Sequence, residues 1–383
     1  MVRIQVVDLA SLLAPWAAHT RELVPGLELF DAHTHLGQND PDGMKQTPEE
    51  LLAGLRAAGA TGAFAFAMHE PDGYPPANDM VLDAAAHSED LLVPFCRVSP
   101  SDGDAVGEAV RALDAGARGI KLHPRAEQFT LDHPAVRDLA RIADERTLPM
   151  LVHAGRGIPA LGEHMVALAA EFPAARFILA HAGITDLAWL WQVAPDHPNL
   201  LFDTSWWIGP DLQALFTLVP PGQIVFASDA PYGQTLVAAI AQVRLMLQAG
   251  LSTQQIELIA GGQARRIAAR EPLHAAGPAV GERDRPARVL LERVHTFTTL
   301  GALAMIRGDV DGRGPEQLAL ARLACNVPPS IDDAPVFAAV RGLLDAYTAL
   351  AAEDPESRLP RMLLMLAAGV GRTPDVGLPT GVV

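Results

Sequence analysis

The chain has 383 residues, 49% of them hydrophobic and 19% charged, so it is long enough for one large domain with an appendage or for two domains, and long disorder is excluded. Its formal net charge of −16 repels phosphate backbones and argues against nucleic acid as the main partner. Two cysteines, Cys96 and Cys325, exclude a disulfide framework and a cysteine-cluster zinc site and fit a reducing, cytoplasmic setting.

The first 26 residues read as an N-terminal arm. Asp8 interrupts their apolar stretch, which lacks the charged-then-apolar design of a signal peptide. Apolar runs such as "MLLMLAAGVG" (362–371) are too short to span a bilayer, so the reading has no membrane partner. From 27 to 270 one rhythm repeats: an apolar run closed by a polar residue or glycine, then a segment of helical spacing. The runs are "GLELFDAH" (26–33), "TGAFAFAMH" (61–69), "LLVPFCRV" (91–98), "ARGIKLH" (117–123), "LPMLVHAG" (148–155), "ARFILAHAG" (175–183), "NLLFDTS" (199–205) and "QIVFASDAP" (223–231). Near-continuous apolar strands alternating with helices predict a parallel sheet covered on both faces. Eight such units predict an α/β fold, an eight-stranded parallel (β/α)8 TIM barrel, over the rival open sheet. Residues 271–287 read as a linker. Beyond it, 288–307, 315–325, 334–354 and 358–369 read as helices, an all-α C-terminal appendage over 288–383. In the first of these, Leu290, Val294, Phe297, Gly301 and Ala304 share one face. The appendage is expected to pack on the barrel or on a second copy of the chain, making a homo-oligomer.

Side chains alternate along a strand, so Asp31, His33 and His35 in "DAHTHLG" point to one side. The fifth run ends at His153, the sixth at His181 and the eighth at Asp229. Catalytic residues of a parallel barrel come from these C-terminal strand ends. Closure sets strand eight beside strand one, where His33, His35, His153 and Asp229 can share one divalent ion. Three imidazoles and a carboxylate suit Zn²⁺ first, with Mn²⁺, Fe²⁺ and Co²⁺ as alternatives.

The ordered set "DAHTHLG", "GIKLHP", "LVHAG", "LAHAG" and "FASDAP" resembles the amidohydrolase superfamily over about 27–270. It is most similar to the metal-dependent hydrolase branch that also holds aminocarboxymuconate-semialdehyde decarboxylase. The resemblance implies that His33, His35, His153 and Asp229 are metal ligands and that His181 is the unliganded histidine acting on substrate. A bound ion would lower the pKa of its water from about 15.7 to about 7, Asp229 would accept a proton from that water, and His181 would polarise a carbonyl or protonate a leaving group.

Lys121 and His123 share a side of the fourth strand, and a lysine there points inward. A carboxylated Lys121 bridging two metals competes with a lysine paired to an acid beside one metal, and the one-metal reading is preferred. Arg97, Arg125 and Arg156 follow strand ends and suit a carboxylate substrate; Trp206 is a candidate pocket wall. His69 and Glu70 end strand two and could line the mouth. The expected function is metal-dependent hydrolysis of a small amide, lactone or ester. Its alternatives are non-oxidative decarboxylation of an unsaturated or aromatic acid, and a catalytically silent scaffold whose appendage is the working surface.

Overall fold

The computed structural model describes residues 9 to 382 except 42, 156, 307, 310 and 356. Among the described residues nine strands follow one another: β1 Leu29–Leu36, β2 Ala60–Ala67, β3 Leu92–Pro94, β4 Cys96–Arg97, β5 Ile120–Leu122, β6 Pro149–Val152, β7 Arg176–Leu179, β8 Leu200–Asp203 and β9 Ile224–Val225. All pair in parallel, as a three-stranded sheet β1-β2-β3 and a six-stranded sheet β4-β5-β6-β7-β8-β9. The count differs from eight because the third run bonds in both directions. Phe95 N–H donates back to Ala65 O at 2.8 Å, and Cys96 N–H donates forward to Gly119 O at 3.0 Å. At the other margin, Ala32 N–H donates to Phe226 O at 2.9 Å and His35 N–H to Ala230 O at 2.8 Å, so the segment after β9 lies along β1.

The period of two sorts these strands into two cores. Met150, Val152, Phe177, Leu179, Leu200 and Phe202 pack against helices, whereas Leu151, Ile178 and Leu201 join Phe30, Phe64 and Phe95 in an inner cluster. Lys121 alternates with Ile120 and Leu122, which face the helices, so its inward direction follows from register. Helices connect the strands, and local chemistry sets their ends. Thr47 Oγ1 accepts from Glu50 N–H at 3.2 Å and Thr47 N–H donates to Glu50 Oε2 at 2.8 Å, a capping box opening Pro48–Ala58, which Gly59 closes at φ 69°.

The N-terminal segment contains a helix, Leu9–Leu23, and residues 271–287 carry neither helix nor strand. The appendage holds Val289–Ile306, Gly314–Ala324, Ala334–Glu353 and Met362–Arg372. Its core of Val294, Phe337, Val340, Leu344, Leu363 and Leu366 continues into Leu13 and Trp16 of the first helix and Val237 and Ile240 of Thr235–Ala249. The appendage therefore packs on the strand-bearing region. Of the predicted face of Val289–Ile306, Val294 and Gly301 are buried, but Leu291, Thr298 and Ala302 are buried beside them and Leu290 is 41% exposed. This helix has the length and mean hydropathy of a membrane span, contrary to the reading that no apolar run is long enough, and a third of it is buried against its neighbours.

Candidate metal centre

β1 delivers His33 and His35 side by side, and the turn after β9 brings Asp229 to them. Asp229 adopts φ 63° and its N–H donates to His33 O at 3.0 Å, which fixes the carboxylate over β1. His33 Nε2 lies 3.1 Å from His35 Nε2, and each lies 3.2 Å from Asp229 Oδ1. Three buried ligand-type atoms thus form a near-equilateral triangle. Bonds of about 2.0–2.1 Å to one tetrahedral ion give ligand–ligand edges of this order. Among the described residues these three form the candidate metal group.

The proton positions agree. His33 Nδ1 donates to Asp203 Oδ2 at 2.7 Å, which leaves Nε2 as a lone pair facing the triangle. Burial, then the charge of Lys121, holds the His33 imidazole well below its ordinary pKa; burial does the same for His35, and burial raises the Asp229 carboxyl well above its ordinary range. Asp203 Oδ1 also accepts from His181 N–H and Ser205 N–H, both at 2.9 Å, and from Ser205 Oγ at 2.5 Å. Neither Asp203 nor Ser205 was singled out from sequence, although "NLLFDTS" places an acid at the end of an apolar run.

The other predicted residues form a second group beside the triangle. His181, at φ 56°, donates from Nδ1 to Ser205 O at 2.7 Å, so its Nε2 is the free lone pair. That atom accepts from His153 Nδ1 at 2.9 Å, which leaves His153 Nε2 buried and unpartnered. His153 is therefore not one of the three converging atoms, but it retains a lone pair of the ligand type. His123 stacks on His153 with ring centroids 3.7 Å apart and accepts at Nδ1 from Ala126 N–H. Lys121 is fully buried, with Nζ 3.3 Å from His33 Nε2 and 4.6 Å above the Phe66 ring; its polar contact is that imidazole and not the acid expected. Burial and Arg97, opposed by Asp203 and Asp229, push the Lys121 ammonium down to about 7.

Arg97 is 1% exposed and committed elsewhere: Nε and Nη2 reach Glu127 Oε1 at 3.1 and 2.6 Å, and Nη1 reaches Ala67 O at 3.1 Å. Arg125 is exposed and lines the cavity above the centre; Arg156 lies outside the described residues. The cavity holds about 380 Å³ and is also lined by His69, Trp206, Trp207 and Tyr232. Trp206 Nε1 donates to Asp211 Oδ2 at 2.7 Å and its ring stacks on Trp207. Tyr232 donates to Asp40 Oδ2 at 2.8 Å beside the His35 ring, a wall that sequence reading missed because its partners lie 192 positions apart.

A family profile described as amidohydrolase matches residues 30–267, the span that carries every one of these side chains. The chain belongs to the amidohydrolase family. Among solved structures the chain is similar to an uncharacterised TIM-barrel protein from Bordetella bronchiseptica, at 16% identity over 64% of this chain and 99% of that one, with a TM-score of 0.52. A 2,6-dihydroxybenzoate decarboxylase complexed with 2,6-dihydroxybenzoate aligns at 14% identity over 64% and 98%, with a TM-score of 0.51. An amidohydrolase II aligns at 18% identity over 63% and 100%, with a TM-score of 0.51. These likenesses establish the fold. No curated protein matches the sequence. The family's metal dependence agrees with the donor set that β1 and the β9 turn assemble, and the helices beyond 288 lie outside the match.

Proposed function

We propose that this chain is a metal-dependent hydrolase of a small amide, lactone or ester, working at the end of an eight-run barrel in which β3 and β4 count as one strand. The converging triangle of His33, His35 and Asp229 beneath an open cavity carries this reading. These three residues would hold the ion, and His153 would serve as the fourth donor through its unpartnered Nε2, with Zn²⁺ the first choice for such a set. A divalent ion there supplies Lewis acidity and makes water acidic enough to act as a nucleophile near neutral pH.

The protein's own groups do the rest. Asp229 receives the proton of the attacking water at its carboxylate. His181, with Nδ1 tied to Ser205 O, is limited to Nε2 for proton exchange with the leaving group. Asp203 keeps the His33 proton on Nδ1 and so keeps Nε2 available for the ion.

Decarboxylation is the second reading, favoured by one observation: Arg125 lines the cavity and offers a guanidinium to a carboxylate. The decarboxylase of the same fold is consistent with it.

Elemental analysis of wild type and Lys121→Ala, with parallel assays for ester or amide cleavage and for CO₂ release, tests the proposal. About one ion per chain in both proteins supports the single-ion centre. Near two ions falling to one or fewer supports a carboxylated Lys121. No metal after metal-supplemented growth overturns the mechanism, and CO₂ release without hydrolysis selects the second reading.

A further inference from the structure

The loop after β5 is wound around His123. Its N–H donates to Glu127 Oε2 at 3.1 Å, and its carbonyl accepts from Glu127 N–H at 3.1 Å. Ala126 N–H is shared between His123 O at 3.0 Å and the ring Nδ1 at 3.1 Å. An Nδ1 that accepts carries no proton, so the neutral ring carries its proton on Nε2. The stack on His153, with 12° between the planes, holds the ring in place. His123 Nε2 has no partner among the described residues and is not one of the buried polar atoms, so this N–H opens on the cavity that His123 lines. Arg125 stands two residues on, in the same turn. It is exposed, lines the same cavity, and makes no hydrogen bond or ion pair among the described residues. The acid closest in the turn is already engaged. Glu127 Oε1 accepts from Arg97 and from the Tyr74 hydroxyl at 2.5 Å, and Oε2 accepts from His123 N–H. The chain has 45 acidic residues against 29 basic ones, so an arginine left without an acid at a cavity wall is out of keeping with its surroundings.

We propose that His123 Nε2–H and the Arg125 guanidinium form a carboxylate-binding subsite, and that the substrate is an amide, lactone or ester with a free carboxylate set apart from its reacting carbonyl. The inference rests on the reading of the cavity as the site of carbonyl chemistry and extends it to the substrate's class. A guanidinium takes a carboxylate through paired N–H donors. A neutral imidazole N–H adds a further donor without a second positive charge to repel the first. The two residues follow β5, whereas the metal triangle is built on β1 and the β9 turn. The rings of His181 and His153 stand between: successive centroids from His33 to His181, His153 and His123 are 5.2, 4.6 and 3.7 Å apart. The anchored carboxylate and the carbonyl at the metal centre are therefore different groups of one molecule. A cavity of about 380 Å³ is of the size that small-molecule sites have. Glu127 is the positioning residue of the subsite, because it fixes the His123 backbone while Arg97 neutralises its charge.

Calorimetric titration of the metal-loaded full chain with pentanoate, and with its neutral isostere pentanamide, tests the subsite at fixed ionic strength. Pentanoate is expected to bind at least about tenfold more tightly than pentanamide. Arg125→Gln is expected to weaken pentanoate at least about tenfold and to leave pentanamide unchanged. His123→Phe keeps a ring to stack on His153 and removes the donor, and is expected to weaken pentanoate about three- to tenfold. Arg125 is exposed, so Arg125→Gln reads the subsite even where His123→Phe fails to fold. No saturable heat from pentanoate up to about 50 mM, above the millimolar range expected for so few atoms, overturns the proposal. Pentanoate binding that neither substitution weakens puts the carboxylate elsewhere, the ion included, and overturns it as well. Loss with Arg125→Gln but not with His123→Phe overturns the part given to His123. The titration reads binding without turnover. A protein that holds pentanoate in this way but cleaves no ester or amide overturns the functional reading and leaves the subsite standing.

Discussion

Asp203 touches His33, the backbone of His181 and Ser205 at once, although it is no candidate ligand itself. Its removal therefore acts through its neighbours. Asp203→Asn keeps the shape but weakens the pull on His33 Nδ1–H, and metal affinity is expected to fall about 10–100-fold with the fold retained, as read by competition with a chelator. His181→Gln makes the opposite separation: metal content is expected to stay at the wild-type level while kcat falls about 10²–10⁴-fold. If both variants lose metal equally, His181 is a ligand and the role given to it here is wrong. Which of these residues could be read from sequence follows from distance along the chain. His33 and His35 are two apart on one strand, and Asp229 stands where an apolar run meets Ala230 and Pro231. His153 stays outside their triangle whichever ring nitrogen is taken, a matter of placement in space that no spacing in the sequence encodes.

Strand alternation was the most legible feature at the level of elements. It put Lys121 on the inner side and the helix-facing residues outside, as the two cores show. The break of the third run at Phe95 was not legible, because bonding first to one neighbour and then to the other is a property of three strands together. The helix Leu9–Leu23 was also missed. Pro15 lies inside it, and proline in a helix interior normally marks a break. Packing against β1 makes its own demand. A Cβ on Gly261 would lie 2.4 Å from Glu28 O and 3.1 Å from Phe30 N. Those are backbone atoms of the residue just before β1 and of the second residue within it, so they cannot swing aside as a side chain can. Gly261→Ala is expected to destabilise the protein by about 1–3 kcal/mol, measured by urea unfolding, and to lower metal affinity because His33 and His35 lie on the displaced strand.

Across the whole molecule, the appendage and the strand-bearing region share one apolar cluster, and a buried histidine reports on it. His295 Nδ1 donates to Ala368 O at 3.0 Å, and burial holds this imidazole below its ordinary pKa; Arg372 pushes the same way and Glu292 opposes it. The folded state therefore binds fewer protons than the unfolded state once pH falls below about 6.5, and stability drops in that direction. His295→Gln removes the titration and retains a donor. Between pH 7.5 and 5.5 its urea midpoint is expected to fall less than that of wild type, and equal losses would show that His295 is not the group responsible. Removal of 288–383 uncovers Val237, Ile240, Leu13 and Trp16, which the appendage core meets in the full chain. The truncated protein is expected to bind ANS or aggregate.

Met362 and Met365 stand near the end of the chain, whereas the last residue of the metal triangle is Asp229. Translation runs from one end to the other at roughly 5–20 residues per second. A ribosome that has passed Asp229 still has more than a hundred codons to read before Met362 joins the apolar cluster around Val237 and Ile240. For some seconds the nascent chain therefore carries Trp16, Val237 and Ile240 without the helices that cover them in the full chain, and in that interval it is open to association with its neighbours.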